Sequence, residues 1–157
     1  ALELLNKGCD VMAQHQDSTA AQIAAQEKGA FAIGYNTPTP TAAPKAYMTA
    51  PLFKWATFYV DDVQAILNGT WSSRAYWEGL DKGMVALDDL TANCAEGTAE
   101  LVDAAKAKIM DGSLYVFTGP LLDQSGTEKV ASDVKMTDEE VWNMGWFVKG
   151  IIGSVPN

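Results

Sequence analysis

Two stretches of the chain repeat one pattern at a spacing of 21 residues. In each, a helix-like segment ends in a Lys-Gly pair, passes into an apolar run and breaks at a polar cluster. The first is Leu4-Leu5-Asn6-Lys7-Gly8, then Val11-Met12-Ala13, then Gln14-His15-Gln16-Asp17-Ser18; the second is Ala25-Gln26-Glu27-Lys28-Gly29, then Ala30-Phe31-Ala32-Ile33-Gly34, then Tyr35-Asn36-Thr37. Glycine takes the left-handed conformation just past a helix at little cost, so each Lys-Gly pair predicts a helix stop and each apolar run a buried strand. Helix and strand in alternation predict an α/β fold with an open, mostly parallel sheet flanked by helices. Ligands of such sheets bind beyond the carboxyl ends of the strands, which is where both polar clusters fall.

A net charge of -9 and an isoelectric point near 4.4 argue against nucleic acid as a partner, because phosphate backbones are held by clustered Lys and Arg. Cys9 and Cys94 are too few and too far apart for a disulfide framework or a zinc site, and both are expected to be buried or half-buried apolar residues. Neither a metal site nor a cofactor motif is present in the pattern of residues. No apolar run approaches membrane-spanning length. The opening Ala1-Leu2-Glu3-Leu4-Leu5 reads as helix without a cap, which predicts a longer parent protein.

Downstream, the spacing predicts a helix over 16–28 capped by Asp17 or Ser18, and a surface loop in the Pro- and Thr-rich segment 37–44. A short third strand is expected over 46–49. Pro51 at a first helical turn predicts a helix running to Leu67 and stopping at Asn68-Gly69. A fourth strand over 82–87, a helix over 98–110 and a fifth strand over 114–118 follow, then a hairpin-like turn at 123–127. Thr137 and Glu140 have capping-box spacing, and Val141, Met144, Phe147, Val148 and Ile151 predict a final amphipathic helix.

No catalytic constellation stands out. His15 and Asp17 suggest a general base with a carboxylate partner, but residues two apart at a strand end point in divergent directions. The aromatic residues are more informative. Trp55 and Phe58 or Tyr59 recur at helical spacing and are expected in the core. Trp77 sits in the glycine-punctuated Tyr76-Trp77-Glu78-Gly79, where a ring beside polar groups suits the stacking of a flat heterocycle. Candidate ligand-binding residues are therefore Gln14, His15, Asp17, Ser18, Tyr35, Asn36, Trp77 and Gly79, with Lys54 beyond the third strand.

Six segments in order resemble one family. Asp10 to Thr19, Glu27 to Asn36, Ala43-Pro44-Lys45-Ala46, Trp77 to Val85, Val116-Phe117-Thr118-Gly119-Pro120 and Met144-Gly145-Trp146-Phe147 are similar to the carboxy-terminal half of basic membrane protein (BMP, PnrA-like or Med-like) substrate-binding proteins of ABC importers. The resemblance implies one lobe of a type I periplasmic-binding-protein fold. In it, residues 1–157 would form the carboxy-terminal lobe with hinge-crossing elements near 114–130, and the amino-terminal lobe would lie outside this chain. It further implies a purine nucleobase or nucleoside bound between two lobes, an ABC permease as partner, no cofactor and no enzymatic activity. The implied location is the periplasm or the outer face of the cytoplasmic membrane, with a lipid anchor on an N-terminus beyond this chain. The chain has Tyr35-Asn36 where many nucleoside-binding members carry an acidic residue, and Gln14-His15-Gln16-Asp17 where they carry a glycine-rich turn, which favours a free base or another small ligand. Alternatives are a small α/β hydrolase or transferase built on His15 and Asp17, and a sensing domain without transport.

Overall fold

The structure, a computed structural model, describes residues 1–154. They fall into two compact units divided between Met110 and Asp111. In the first unit, the two Lys-Gly pairs do end helices. Helix α1 (Leu2–Asn6) stops ahead of Gly8 at φ +93°, and α2 (Ala20–Glu27) stops ahead of Gly29 at φ +69°. Strands β1 (Val11–Ala13) and β2 (Phe31–Ile33) follow them and pair in parallel, Val11 opposite Phe31 and Ala13 opposite Ile33. Strand β3 (Tyr47–Thr49) completes a parallel sheet in the order β1-β2-β3.

Small side chains build the core under this sheet. Ala25 of α2, Ala30, Ala32, Ala43 and Ala46 are buried with Met12, so helix and loop approach the strands closely. The segment 37–44 is irregular, as its prolines require, yet Ala43 within it is fully buried. A second cluster joins Tyr47, Ala50 and Leu52.

Several expected elements differ. Helix α2 begins after Thr19, so neither Asp17 nor Ser18 caps it; the amide groups of 14–18 bond one another and delay the first turn. Pro51 does not open a helix. Residues Pro51–Phe53 form β4, because Leu87, Ala86 and Val85 of β5 (Val85–Leu87) pair with them in an antiparallel, separate two-stranded sheet. Proline is tolerated at the first residue of such a strand. The expected fourth strand is thereby shortened and reversed in sense, since 82–84 form a turn.

Helix α3 (Trp55–Leu67) then runs to Asn68 and Gly69 at φ +67°. Its half-buried side, with Phe58 and Asp62, holds the irregular segment 70–78. Asp62 accepts a hydrogen bond from Trp71 Nε1 at 3.1 Å, and its other oxygen lies 2.6 Å from Arg74 as an ion pair that is not aligned as a hydrogen bond. The Arg74 guanidinium covers the rings of Phe58 and Tyr76 at 5.5 and 5.7 Å. Trp55 and Tyr59, expected in the core, are 47% and 57% exposed. Helix α4 (Thr98–Met110) closes the unit over the span the sequence predicts.

In the second unit, β6 (Leu121–Leu122) and β7 (Glu128–Val130) form the hairpin around 123–127. The run 114–118 is not a strand; only Thr118 makes a bridge, to Lys135. Helix α5 spans Asp138–Trp142, with both arms of the Thr137–Glu140 capping box formed, and does not continue to Ile151. Val148 is drawn instead into a bridge with Asp123, and the Lys149 amide donates to the Leu122 carbonyl. Cys94 is half-buried as expected, whereas Cys9 is exposed, since it lies in the connection between Gly8 and β1. No described helix is long and apolar enough to cross a membrane.

Candidate functional site

Parallel, in-register pairing of β1 with β2 delivers Gln14-His15 and Gly34-Tyr35-Asn36 side by side at the carboxyl ends of the strands. His15 Nε2 lies 2.8 Å from the Tyr35 hydroxyl, and the two rings meet edge to face at 4.3 Å. The hydroxyl donates or accepts according to the imidazole tautomer. Among the described residues, no hydrogen bond or ion pair joins His15 to Asp17. The strand tips thus carry a His-Tyr pair rather than a His-carboxylate pair.

Chain beyond β2 stays ordered by pairing with the next strands. Gly34 donates its amide to Thr49 and Asn36 donates to Pro51, each at 2.8 Å, and Asn36 bridges Leu52 in parallel. Asn36 has φ +63°, a left-handed conformation that asparagine accepts more readily than most residues. That conformation turns the chain immediately after Tyr35.

On the β1 side, Gln14 Nε2 donates to the carbonyls of Gln16 and Ser18 at 2.9 and 3.1 Å, and Gln16 Nε2 donates to Ser18 at 2.8 Å. Two carbonyl partners fix the Gln14 amide orientation, leaving its Oε1 buried without a hydrogen-bond donor among the described residues. Asp17 and Ser18 are exposed on this loop.

An aromatic run continues from the His-Tyr pair. Tyr35 meets Phe53 of β4 edge to face at 6.1 Å, Phe53 lies 5.5 Å from Trp55, and Trp55 stacks near-parallel to Tyr59 at 6.1 Å. Phe53 is half-buried and Trp55 half open to solvent, a surface suited to stacking a flat ring. Reading Pro51 as the start of a helix hid Phe53, and helical spacing assigned Trp55 to the core. The available signal was the short apolar run Pro51-Leu52-Phe53 before the polar Lys54. Lys54 is exposed at the start of α3, with its amide bonded to the Met84 carbonyl.

Trp77 is 51% exposed on the segment that Asp62 and Arg74 anchor. Gly79 accepts from the amides of Met84 and Val85 and helps wall an apolar groove of about 450 Å³ with Pro51, Leu80, Val85, Val102 and Ile109. His15 and Tyr35 are not among its walls. The structure thus joins Gln14, His15, Tyr35 and Asn36 at one edge and places Gly79 in different, apolar surroundings. The described residues hold no group of three His, Cys, Asp or Glu suited to a metal ion.

Comparisons with known proteins agree with this architecture. The family described as "ABC transporter substrate-binding protein PnrA-like" matches residues 1–115. A purine-binding protein of Brucella abortus is 33% identical over 99% of this chain and 44% of its own length. A putative ABC transporter glucose-binding protein of Haloferax volcanii is 30% identical over 98% of the chain and 37% of its own length. The chain therefore spans less than half the length of these relatives. Two solved structures share the fold: a transcriptional activator of the comK gene from Bacillus halodurans (TM-score 0.63, 19% identity, 73% of this chain and 41% of that one) and an ABC transporter solute-binding protein from Conexibacter woesei (TM-score 0.58, 20% identity, 73% and 39%). The expected α/β lobe of the periplasmic-binding-protein type is the fold observed, and the chain belongs to the PnrA-like family of ABC transporter substrate-binding proteins.

Proposed function

We propose that this chain is the carboxy-terminal ligand-binding lobe, with hinge-crossing elements near 114–130, of a two-lobed extracytoplasmic protein that captures a purine base or nucleoside and delivers it to an ABC permease. The observation that carries the reading is the His15–Tyr35 pair opening onto the Tyr35-Phe53-Trp55 rings at the carboxyl edge of the parallel strands. A purine is a flat ring with a mixed donor and acceptor edge. The aromatic run offers it a face, while the His15 and Tyr35 polar atoms and the Asn36 side-chain amide offer partners for its edge. Asp17, Ser18, Gln14 and Lys54 are further polar candidates for contact with that edge, and Trp77 is a second stacking candidate.

One lobe contributes half of such a site. Closure of a second lobe excludes water and strengthens the polar contacts, so the ligand stabilises the closed state through contacts made only there. Binding without turnover is the expected chemistry, and the similarity to a purine-binding protein supports the ligand class.

Calorimetry of the two-lobed protein tests the reading with adenine, guanine, hypoxanthine, their nucleosides and glucose. Heat and saturation with at least one purine, reduced by Trp55→Ala or Tyr35→Phe, are expected. Saturation with glucose and with no purine would overturn the ligand assignment. Trp77→Ala in the same series decides between the two stacking rings.

A further inference from the structure

Gln22 and Tyr47 are the largest fully buried side chains among the described residues, each 1% exposed, and both carry polar groups. They close on the same residue. A Cβ added to Gly34 would lie 2.9 Å from the Tyr47 ring and 3.2 Å from Gln22 Nε2. Gly34 directly precedes Tyr35 and Asn36, so these two side chains wall the root of the candidate site.

Gln22 also reaches past the site. Its Oε1 accepts a hydrogen bond from Thr39 Oγ1 at 3.0 Å, and one helical turn later Gln26 Oε1 accepts from the Lys45 amide at 2.8 Å. The two glutamines, on one face of α2, thus clip both ends of the Thr- and Pro-rich segment that follows Asn36. A methionine or leucine would fill the Gln22 space without burying an amide, which costs free energy unless its bonds are made. What the amide supplies in return is a fixed position for Thr39, and so for the chain leaving Asn36.

We infer that Gln22, through Thr39, is a positioning residue for ligand binding: it holds Tyr35 and Asn36 in the geometry the ligand meets. This rests on the site assigned above. Pre-ordered contacts lower the ordering cost of association, so loosening the clip should weaken binding without removing any atom the ligand touches. The buried Gln22 is a poor place to test this, because its replacement disturbs the core. Thr39 is half-buried on the segment itself, and Thr39→Val is isosteric but takes away the donor.

Hydrogen exchange on the chain itself gives a ligand-free reading. Asn36 and Thr37 donate their amides to Pro51 and Tyr35. In Thr39→Val these amides should exchange about tenfold faster, while those of Met12 and Ala32 in the sheet keep their rates and report an intact fold. Thr39→Ser, which restores the hydroxyl, should return them to within about twofold of wild type. In the two-lobed protein, purine affinity should weaken about tenfold in Thr39→Val and recover in Thr39→Ser. Unchanged exchange at Asn36 and Thr37 overturns the clip, and faster exchange with unchanged affinity overturns its role in binding. A wild type that binds no purine overturns the ligand reading instead, and the exchange comparison then decides the clip alone.

Discussion

The Tyr47 hydroxyl donates a 2.7 Å hydrogen bond to the Asp88 carboxylate and so ties the segment after β5 to the parallel sheet. Strand β3 is one of its two outer strands. The segment after β5 lies along it: Asp88 and Thr91 donate their amides to Ala50 and Met48, and Thr91 Oγ1 and Asn93 Nδ2 both donate to the Tyr47 carbonyl. An edge satisfied in this way is protected from pairing with other chains.

Burial first, and then the adjacent Asp88 carboxylate, push the Tyr47 hydroxyl well above its ordinary pKa of 10.0. Its contribution to stability is therefore complete below that ordinary value. It declines as pH rises past it, where the unfolded chain releases the proton and the folded chain does not. Tyr47→Phe should flatten this alkaline decline and cost about 1–3 kcal/mol at neutral pH, since Asp88 loses its donor. Urea unfolding at a series of pH values from neutral to strongly alkaline measures both effects. A variant as stable as wild type at neutral pH and equally alkali-sensitive would refute the account.

The His15–Tyr35 pair lies at the surface and should matter more to ligand than to fold. Tyr35→Phe keeps the ring contacts to His15 and Phe53 but removes the hydroxyl. Its cost in stability should stay within about 1 kcal/mol, a melting shift of about 2–4 °C or less. Purine affinity of the two-lobed protein should fall about five- to tenfold, as for the loss of one hydrogen bond. The imidazole carbon and nitrogen shifts of His15 should move in the variant without ligand. A large melting shift together with unchanged affinity would assign the pair to structure.

The paired αβ units were legible because their signals are local: a Lys-Gly stop, a short apolar run and a polar break all lie within a few residues. Elements created by distant partners were not. Pro51-Leu52-Phe53 is a strand because Val85–Leu87 runs beside it, and Val148 leaves its helical pattern because Asp123 bridges it. The same distinction applies to the site. Gln14, His15, Tyr35 and Asn36 were marked by position at strand ends, whereas exposure of Trp55 depends on which side of α3 faces the 70–78 segment. Gln22 was illegible for a different reason: in the sequence it is one more polar residue of a helix, and only the fold shows it buried against Gly34.

In the second unit, Asp123 organises the hairpin turn. Its carboxylate accepts from Ser125 Oγ at 2.6 Å and from the amides of Ser125 and Thr127, with Lys129 3.7 Å away. The Ser125 hydroxyl foremost, then the Thr127 and Ser125 amides and the Lys129 charge, hold its pKa below the ordinary 3.8. The turn's stabilisation is therefore present above the ordinary value and lost as pH falls through the depressed one. A carboxyl carbon NMR titration should place Asp123 below 3.8, with Ser125→Ala moving it upward. An unmoved titration in Ser125→Ala would show that the hydroxyl does not hold the carboxylate.

Gly34 offers the most direct test of how tightly the site is seated. Its φ is not in the left-handed region, so Gly34→Ala introduces no backbone strain, and any penalty must come from the methyl group itself. That methyl would meet the Tyr47 ring at 2.9 Å, Ala50 Cβ at 3.2 Å and the Gln22 amide at 3.2 Å, all belonging to buried side chains with little room to move. Overpacking of this kind costs about 1–3 kcal/mol. Relief is easiest by displacing the strand end toward solvent, which carries Tyr35 away from His15. Gly34→Ala should therefore melt lower and shift the His15 imidazole resonances, and Gly34→Ala combined with Tyr47→Leu should recover part of the melting loss. Stability at the wild-type level in the single variant would mean that Tyr47 and Gln22 do not confine the root of the site.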